Sequence, residues 1–312
     1  MKRRDVINGL LGGASLCAMP RFASAAETTV RMALLPIDTD ACLYYAKDLD
    51  YFQDAGIDAD IQVIQAGSAV VSAIVGGSID IGFTNPISLA AAHLRGVPIV
   101  AIAPGGVYAA HNATAAIVVP KNSKIKDARD FSGKTMACSG LKTIGQWAPA
   151  AWIDKNGGDS RQVQFVEMPF PDMPLALAQG RVDSAFPAEP FITQARDVSR
   201  VFVDAYAAIA PRFSIGIWVT TVQWADAHRD LVAKFAQVIA RTATWANAHR
   251  DQSATILTKY IKLDPIVAKN MSRVLYASRL LPSEMQPIID LAAHYGTLPT
   301  PAVSAEQLVY KA

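Results

Sequence analysis

The chain repeats itself, and the repeat limits what it can become. Residues 76–86 read Gly-Gly-Ser-Ile-Asp-Ile-Gly-Phe-Thr-Asn-Pro, and residues 179–190 read Gln-Gly-Arg-Val-Asp-Ser-Ala-Phe-Pro-Ala-Glu-Pro. Both follow Gly-x-(Ile/Val)-Asp-x-(Gly/Ala)-Phe, with Pro shortly after. Upstream of each lies a stretch of helical period, Ala69 to Val75 and Met173 to Ala178. Strand-like runs precede these, Asp60 to Ile64 and Gln162 to Val166. Further upstream, Thr29 to Leu35 matches Lys134 to Cys138, and each is followed by a loop and an apolar-spaced helix, Leu43 to Phe52 and Trp147 to Ile153. Alternating strands and helices imply parallel strands with helices on their faces. The fold class is therefore α/β, with two similar lobes built on mixed, mainly parallel sheets. The Gly ahead of each Ile/Val-Asp fits a helix C-terminal cap, where a left-handed residue without a Cβ is favoured.

The two lobes are expected at residues 26–104 with 215–312, and at 105–214. The first crossing lies near Ala103-Pro104-Gly105-Gly106 and the return near Phe213 to Thr220, a β-branched and aromatic run after Pro211. Two crossings make a two-segment hinge, and hinged lobes close over ligands. Beyond the return, Ala225 to Lys259 has helical periodicity, and Pro265, Pro282 and Pro287 punctuate the remaining helices.

In open α/β sheets a ligand sits outside the carboxyl ends of the strands. The repeat thus names six loops, among them Pro36 to Asp40, Gly67-Ser68, Thr84-Asn85-Pro86, Ser139 to Thr143, Pro169 to Asp172 and Glu189-Pro190-Phe191. Ser68, Thr84, Asn85, Ser139 and Thr143 are short polar side chains able to bond a ligand, and equally able to cap helices. Several precede helix N-termini, which favour anions, and Lys142 carries a full positive charge. Asp38 and Glu189 oppose a negative ligand and suit an amine or a donor heterocycle. Phe170, Phe191, Tyr44 and Trp147 are candidates either for a ring-lined cleft or for the core.

Composition narrows the partners. Of 312 residues, 51% are hydrophobic and 18% charged, which is globular. The formal charge is +2, but the first 25 residues hold Lys2, Arg3, Arg4 and Arg21 against Asp5, so the remainder carries −1. A near-neutral body gives no reason to expect nucleic acid or a membrane surface. Those 25 residues have the basic start, the apolar run Val6 to Met19 and the small Ala23-Ser24-Ala25 of an export signal, and Arg3-Arg4 fits a twin-arginine variant. Ser15-Leu16-Cys17 is a poor lipoprotein site. Cys42 and Cys138, the cysteines left after cleavage, have no metal-ligand spacing, and they either pair or are simply buried. No cofactor or metal is expected.

At these residues the chain resembles a known family. Asp40-Ala41-Cys42-Leu43-Tyr44-Tyr45-Ala46-Lys47 followed by Tyr51-Phe52 and Gly56-Ile57, then Gly77-Ser78-Ile79-Asp80-Ile81-Gly82, Gly96-Val97-Pro98-Ile99 and Glu189-Pro190-Phe191, are similar to ABC-transporter solute-binding proteins. The narrower resemblance is to those handling sulfonates, taurine, nitrate and thiamine-pyrimidine precursors, over roughly residues 29–250. It implies a type 2 periplasmic-binding fold, capture of a small molecule by lobe closure in the periplasm, and a permease with its ATPase as partners. It implies a monomer and no catalysis. Carried onto this sequence, its ligand contacts are Asp38, Thr39, Ser68, Thr84, Asn85, Ser139, Lys142, Thr143 and Glu189, with Phe191 beside them. Loops 36–39 and 139–143 do not select a ligand subfamily. The alternatives are an enzyme on the same fold, such as a pyrimidine-precursor synthase, and a ligand-sensing receptor subunit. The cysteine-rich stretch and the substrate-supplying histidine of those synthases are not visible, nor is a Gly-x-Ser-x-Gly elbow.

Overall fold

The computed structural model describes residues 28–110 and 112–311. The export signal expected at 1–25, with Cys17, lies outside these. The first half of the repeat runs β1 (Thr28–Leu34), α1 (Cys42–Asp48), α2 (Tyr51–Asp54), β2 (Ile57–Val63), α3 (Gly67–Val75), β3 (Ile81–Thr84), α4 (Pro86–Leu94) and β4 (Ile99–Pro104). After β5 (Gly106–Ala109) and β6 (Ile117–Pro120) the unit recurs as β7 (Thr135–Cys138), α5 (Ile144–Lys155), β8 (Gln164–Glu167), α6 (Met173–Ala178), β9 (Ser184–Ala185), α7 (Phe191–Gln194) and β10 (Ser199–Val203). The chain closes with β11 (Arg212–Ser214), β12 (Ile217–Thr221), α8 (Val222–Ala227), α9 (Arg229–Ala248), α10 (Arg250–Ile261), α11 (Pro265–Asn270), β13 (Leu275–Tyr276) and α12 (Pro282–His294).

The two copies build the same sheet. The first has order β2-β1-β3-β12-β4 and the second β8-β7-β9-β6-β10. β1 pairs in parallel with β2 and β3, as β7 does with β8 and β9. Each sheet contains one strand antiparallel to its neighbours, β12 in the first and β6 in the second. In both, it is the first strand of that sheet laid down after the chain crosses from the other one. The sheets are thus mixed and mainly parallel.

The motif's aspartate does the same work twice. Asp80 Oδ2 accepts the Arg31 N–H at 2.9 Å and the Asp80 N–H donates to the Arg31 carbonyl at 2.9 Å. Asp183 Oδ2 accepts the Thr135 N–H at 2.9 Å and its N–H donates to the Thr135 carbonyl at 3.0 Å. Each carboxylate therefore stitches the third strand of its unit to the first. The glycine three residues earlier turns the chain out of the helix, with φ of +73° at Gly77 and +66° at Gly180.

Between the sheets, the crossing segments form a third one, of order β11-β5-β13. β11 and β5 are the two hinge segments, paired antiparallel with Phe213 opposite Tyr108. The short β13 joins the far side of β5, with Leu275 opposite Val107. The hinge is therefore a three-stranded sheet, not two separate strands. α9 buries Val232, Phe235, Val238, Ile239 and Thr242, one face at helical spacing. Phe235 packs edge-on to the fully buried Trp218 of β12, 5.8 Å between centroids. Cys42 and Cys138 are both free and buried. No helix among the described residues is long and apolar enough to cross a membrane.

Candidate ligand-binding cleft

Six strand ends, three from each half of the repeat, meet around one cavity that is partly open to solvent. From the first half come Ile37 and Thr39 after β1, Gly67 and Ser68 at the start of α3, and Phe83, Thr84 and Asn85 at the end of β3. From the second come Ser139, Gly140 and Thr143 after β7, Phe170 after β8, and Phe186 and Ala188 after β9. The hinge region adds Tyr206 and Ile215. Phe83 and Phe186 are the two phenylalanines of the repeated motif, so the duplication sets one ring on either side of the space.

Among the residues expected to touch a ligand, Thr39, Ser68, Thr84, Asn85, Ser139 and Thr143 line this cavity. They fall into two chemical groups. Asn85 caps α4, its Oδ1 accepting the Ser88 N–H at 3.0 Å. Thr143 caps α5, accepting the Gly145 N–H at 3.2 Å while donating to the Gly140 carbonyl at 2.8 Å. Thr84 donates to the Gly67 carbonyl at 3.1 Å. Thr39, Ser68 and Ser139 make no side-chain hydrogen bond to another described residue, and their hydroxyls remain for a guest. The N-cap of α3, Ala66, supplies no side-chain acceptor. The N–H groups of Gly67 and Ser68, which line the cavity, therefore have no side-chain cap among the described residues, and such a helix start favours a negative group.

Asp38, Lys142, Glu189 and Phe191 do not line the cavity. Asp38 is buried, and its carboxylate accepts from Arg273 Nε at 3.1 Å and the Val274 N–H at 2.8 Å, with Arg273 Nη2 ion-paired to it at 3.0 Å. Burial works against the charge on Arg273, but Asp38 together with Tyr45 and Tyr276 more than offsets this and holds the guanidinium protonated. Glu189 is buried too, accepting from the Thr193 N–H at 3.1 Å, Thr193 Oγ1 at 2.9 Å and the Ser272 N–H at 3.2 Å. Burial pushes its carboxyl up, against the pull of those bonds. Lys142 has a left-handed backbone, φ +58°, and an exposed side chain. Phe191 stacks behind the cavity residue Phe170, 6.3 Å between centroids and 1° from parallel. The remaining aromatic candidates, Tyr44 and Trp147, pack on Tyr260 and Tyr295 respectively.

With these four elsewhere, the lining holds no charged side chain among the described residues. The family can now be read from the sequence directly: the model of the NMT1/THI5-like family matches residues 39–253, more than half of the chain. The chain belongs to the NMT1/THI5-like family. This NMT1/THI5-like chain is 26% identical over 193 residues to the taurine-binding periplasmic protein of Escherichia coli (strain K12), covering 61% of this chain and 58% of that protein. It thus spans less than two thirds of that relative's length. Its fold matches the alkanesulfonate-binding protein SsuA of Xanthomonas axonopodis pv. citri bound to MOPS, with TM-score 0.76, 19% identity, and coverage of 92% of this chain and 100% of that one. It also matches a zinc-bound ligand-binding component of an ABC-type import system from Staphylococcus aureus, with TM-score 0.79, 18% identity, and coverage of 91% and 96%.

Several wall residues of this NMT1/THI5-like cleft escaped sequence reasoning. Phe83 and Phe186 stand inside the motif that defined the repeat, so the signal was present. A residue conserved in type between the two copies and sitting at a strand's carboxyl end is where a facing pair is expected. Tyr206 and Ile215 carry no such signal, because they belong to neither copy of the repeat.

Proposed function

We propose that this protein is the periplasmic solute-binding component of an ABC importer, holding a small organic anion between its lobes by closure and handing it to a permease with its ATPase. The supporting observation is the convergence of all six equivalent strand-end loops on one cavity. A guest there touches both lobes at once, so it favours the closed state by its differential affinity. Kinship with binding proteins for taurine and alkanesulfonates supports the same reading, and supports export to the periplasm.

The lining narrows the guest. Free hydroxyls at Thr39, Ser68 and Ser139 with the N-terminus of α3 suit a sulfonate-like head, and Phe83, Phe170, Phe186 and Tyr206 suit an apolar or aromatic body. An ammonium group would need a carboxylate, and Asp38 and Glu189 are bonded within the protein. A sulfonate without an amine therefore fits better than taurine.

Ligand-free refolded protein tests this by its melting temperature against alkanesulfonates, benzenesulfonate, taurine, nitrate and pyrimidines. A guest at 100 times its Kd stabilises by about 2.7 kcal/mol. The expected order is sulfonates above taurine, with bound sulfonate recovered chemically unchanged. No shift with any of these, or a turned-over product, overturns the proposal.

A further inference from the structure

Phe83 faces two ways. The residue lines the cavity, and the far end of its ring lies against the main chain of the hinge. A Cβ on Gly216 would fall 2.1 Å from Phe83 Cζ and 2.5 Å from Cε1, and one on Gly105 would fall 2.4 Å from Cε2. These two glycines belong to the two crossing segments and are bonded to each other, the Gly105 N–H donating to the Gly216 carbonyl at 3.1 Å. Neither has a left-handed backbone. Glycine is required at Gly216 by the ring pressed against it, and at Gly105 by the ring together with the Gly216 carbonyl oxygen, 2.7 Å from such a Cβ; local conformation requires it at neither. Trp218, fully buried, holds a further flank of the ring edge-on at 5.1 Å between centroids.

A ring so backed cannot retreat from a guest. Side chains in a packed interior yield only if their neighbours move, and here the neighbours are hydrogen-bonded main chain and a buried indole. We propose that Phe83, seated on Gly105 and Gly216, is the floor of the cavity and sets the largest guest on which the lobes can close. This rests on the ligand-binding reading of the cleft. It adds the residue that determines size and makes the hinge glycines part of specificity.

The test is calorimetric titration of straight-chain sulfonates, methanesulfonate to octanesulfonate, into wild type, Gly216→Ala, Phe83→Leu and the double variant. Gly216→Ala is expected to push the ring into the cavity and cut affinity for the longest chain bound by roughly tenfold or more, with methanesulfonate changed by less than about threefold. Phe83→Leu is expected to admit a longer chain, and the double variant to return toward the wild-type range. Equal losses at every length overturn the inference. Crystal structures of the four proteins give a second readout. A ring that stays in place in Gly216→Ala while residues 215–217 move overturns it as well. If wild type binds no sulfonate, the ligand reading fails, and the ring's position in the variants still decides this inference. Should Gly216→Ala not fold, Phe83→Leu alone decides it, and an unchanged length limit there is a failure.

Discussion

Thr39, Ser68 and Ser139 line the cleft with hydroxyls that have no partner among the described residues, whereas Thr143 both accepts from the Gly145 N–H and donates to the Gly140 carbonyl. The two kinds of residue have separable effects. Ser139→Ala is expected to weaken sulfonate binding by about 0.5–1.5 kcal/mol, one net hydrogen bond, with unchanged urea stability. Thr143→Ala removes the cap of α5 and is expected to cost about 1 kcal/mol of stability in the same urea titration. An affinity loss for Thr143→Ala with stability intact would reverse the assignment. From sequence the two serve equally as cap or contact, because a short hydroxyl before a helix is the signature of both. Asp38 was illegible for another reason. Its partner Arg273 lies 235 residues away, so a carboxylate at a strand end reads as a ligand contact until the fold supplies its counter-charge.

Asp40, two residues on, makes a prediction about pH. It is buried, its Oδ2 accepts the Leu35 N–H at 2.7 Å, and its Oδ1 has no partner among the described residues, as is true of the nearby Tyr44 hydroxyl. Burial pushes its carboxyl well above the usual range, and the Asp38 charge adds to this. Below about pH 4 the folded and unfolded chains both hold the proton. Above that the unfolded chain releases it while the folded one keeps it, so rising pH favours unfolding. The loss is about 1.4 kcal/mol per pH unit until the folded carboxyl ionises. Asp40→Asn does not titrate. Melting curves from pH 4 to 8 are therefore expected to show wild type losing ground to Asp40→Asn as pH rises, and parallel curves would refute the assignment.

At the scale of elements, the two copies of the repeat are one device under different loads. Asp80 adds to its strand stitch an ion pair with Arg31 at 2.6 Å, and its side chain is 12% exposed. Asp183 is paired with Lys134 at the longer distance of 3.6 Å, and its side chain is 42% exposed. A hydrogen bond to a carboxylate is worth about 1.5–3 kcal/mol, and exposure lowers it. Asp80→Ala is expected to destabilise by about that amount and Asp183→Ala by less, in urea titrations of each single variant. Equal losses would mean that the Arg31 pair contributes nothing. The strands and helices of both copies were legible because apolar period and glycine caps are local. The β13 edge of the hinge sheet was not. Two residues, Leu275 and Tyr276, have no period of their own, and only β5 beside them makes them a strand.

For the whole molecule, the lobes are also joined outside the cavity. Trp147 of α5 stacks on Tyr295, 4.8 Å between centroids and 4° from parallel, and its Nε1–H donates to Thr297 Oγ1 at 2.9 Å. Tyr295 in turn donates to Asp154 Oδ2 at 2.7 Å. Tyr295 and Thr297 follow α12, which packs on α4 beside the first sheet, whereas Trp147 and Asp154 belong to the second lobe. On the proposed closure such contacts form as the lobes come together, so they act on the escape of a guest more than on its entry. An aromatic pair is worth about 0.5–1.5 kcal/mol and the hydrogen bond a similar amount. Trp147→Ala is thus expected to raise koff for the best sulfonate by the equivalent of about 1–3 kcal/mol in stopped flow, with kon unchanged. Because Trp147 lies outside the cavity, the loss is expected to be the same for short and long sulfonates, unlike that of Gly216→Ala. A length-dependent loss would place Trp147 in the cavity wall, and an unchanged koff would mean that the lobes hold their guest by the cavity alone.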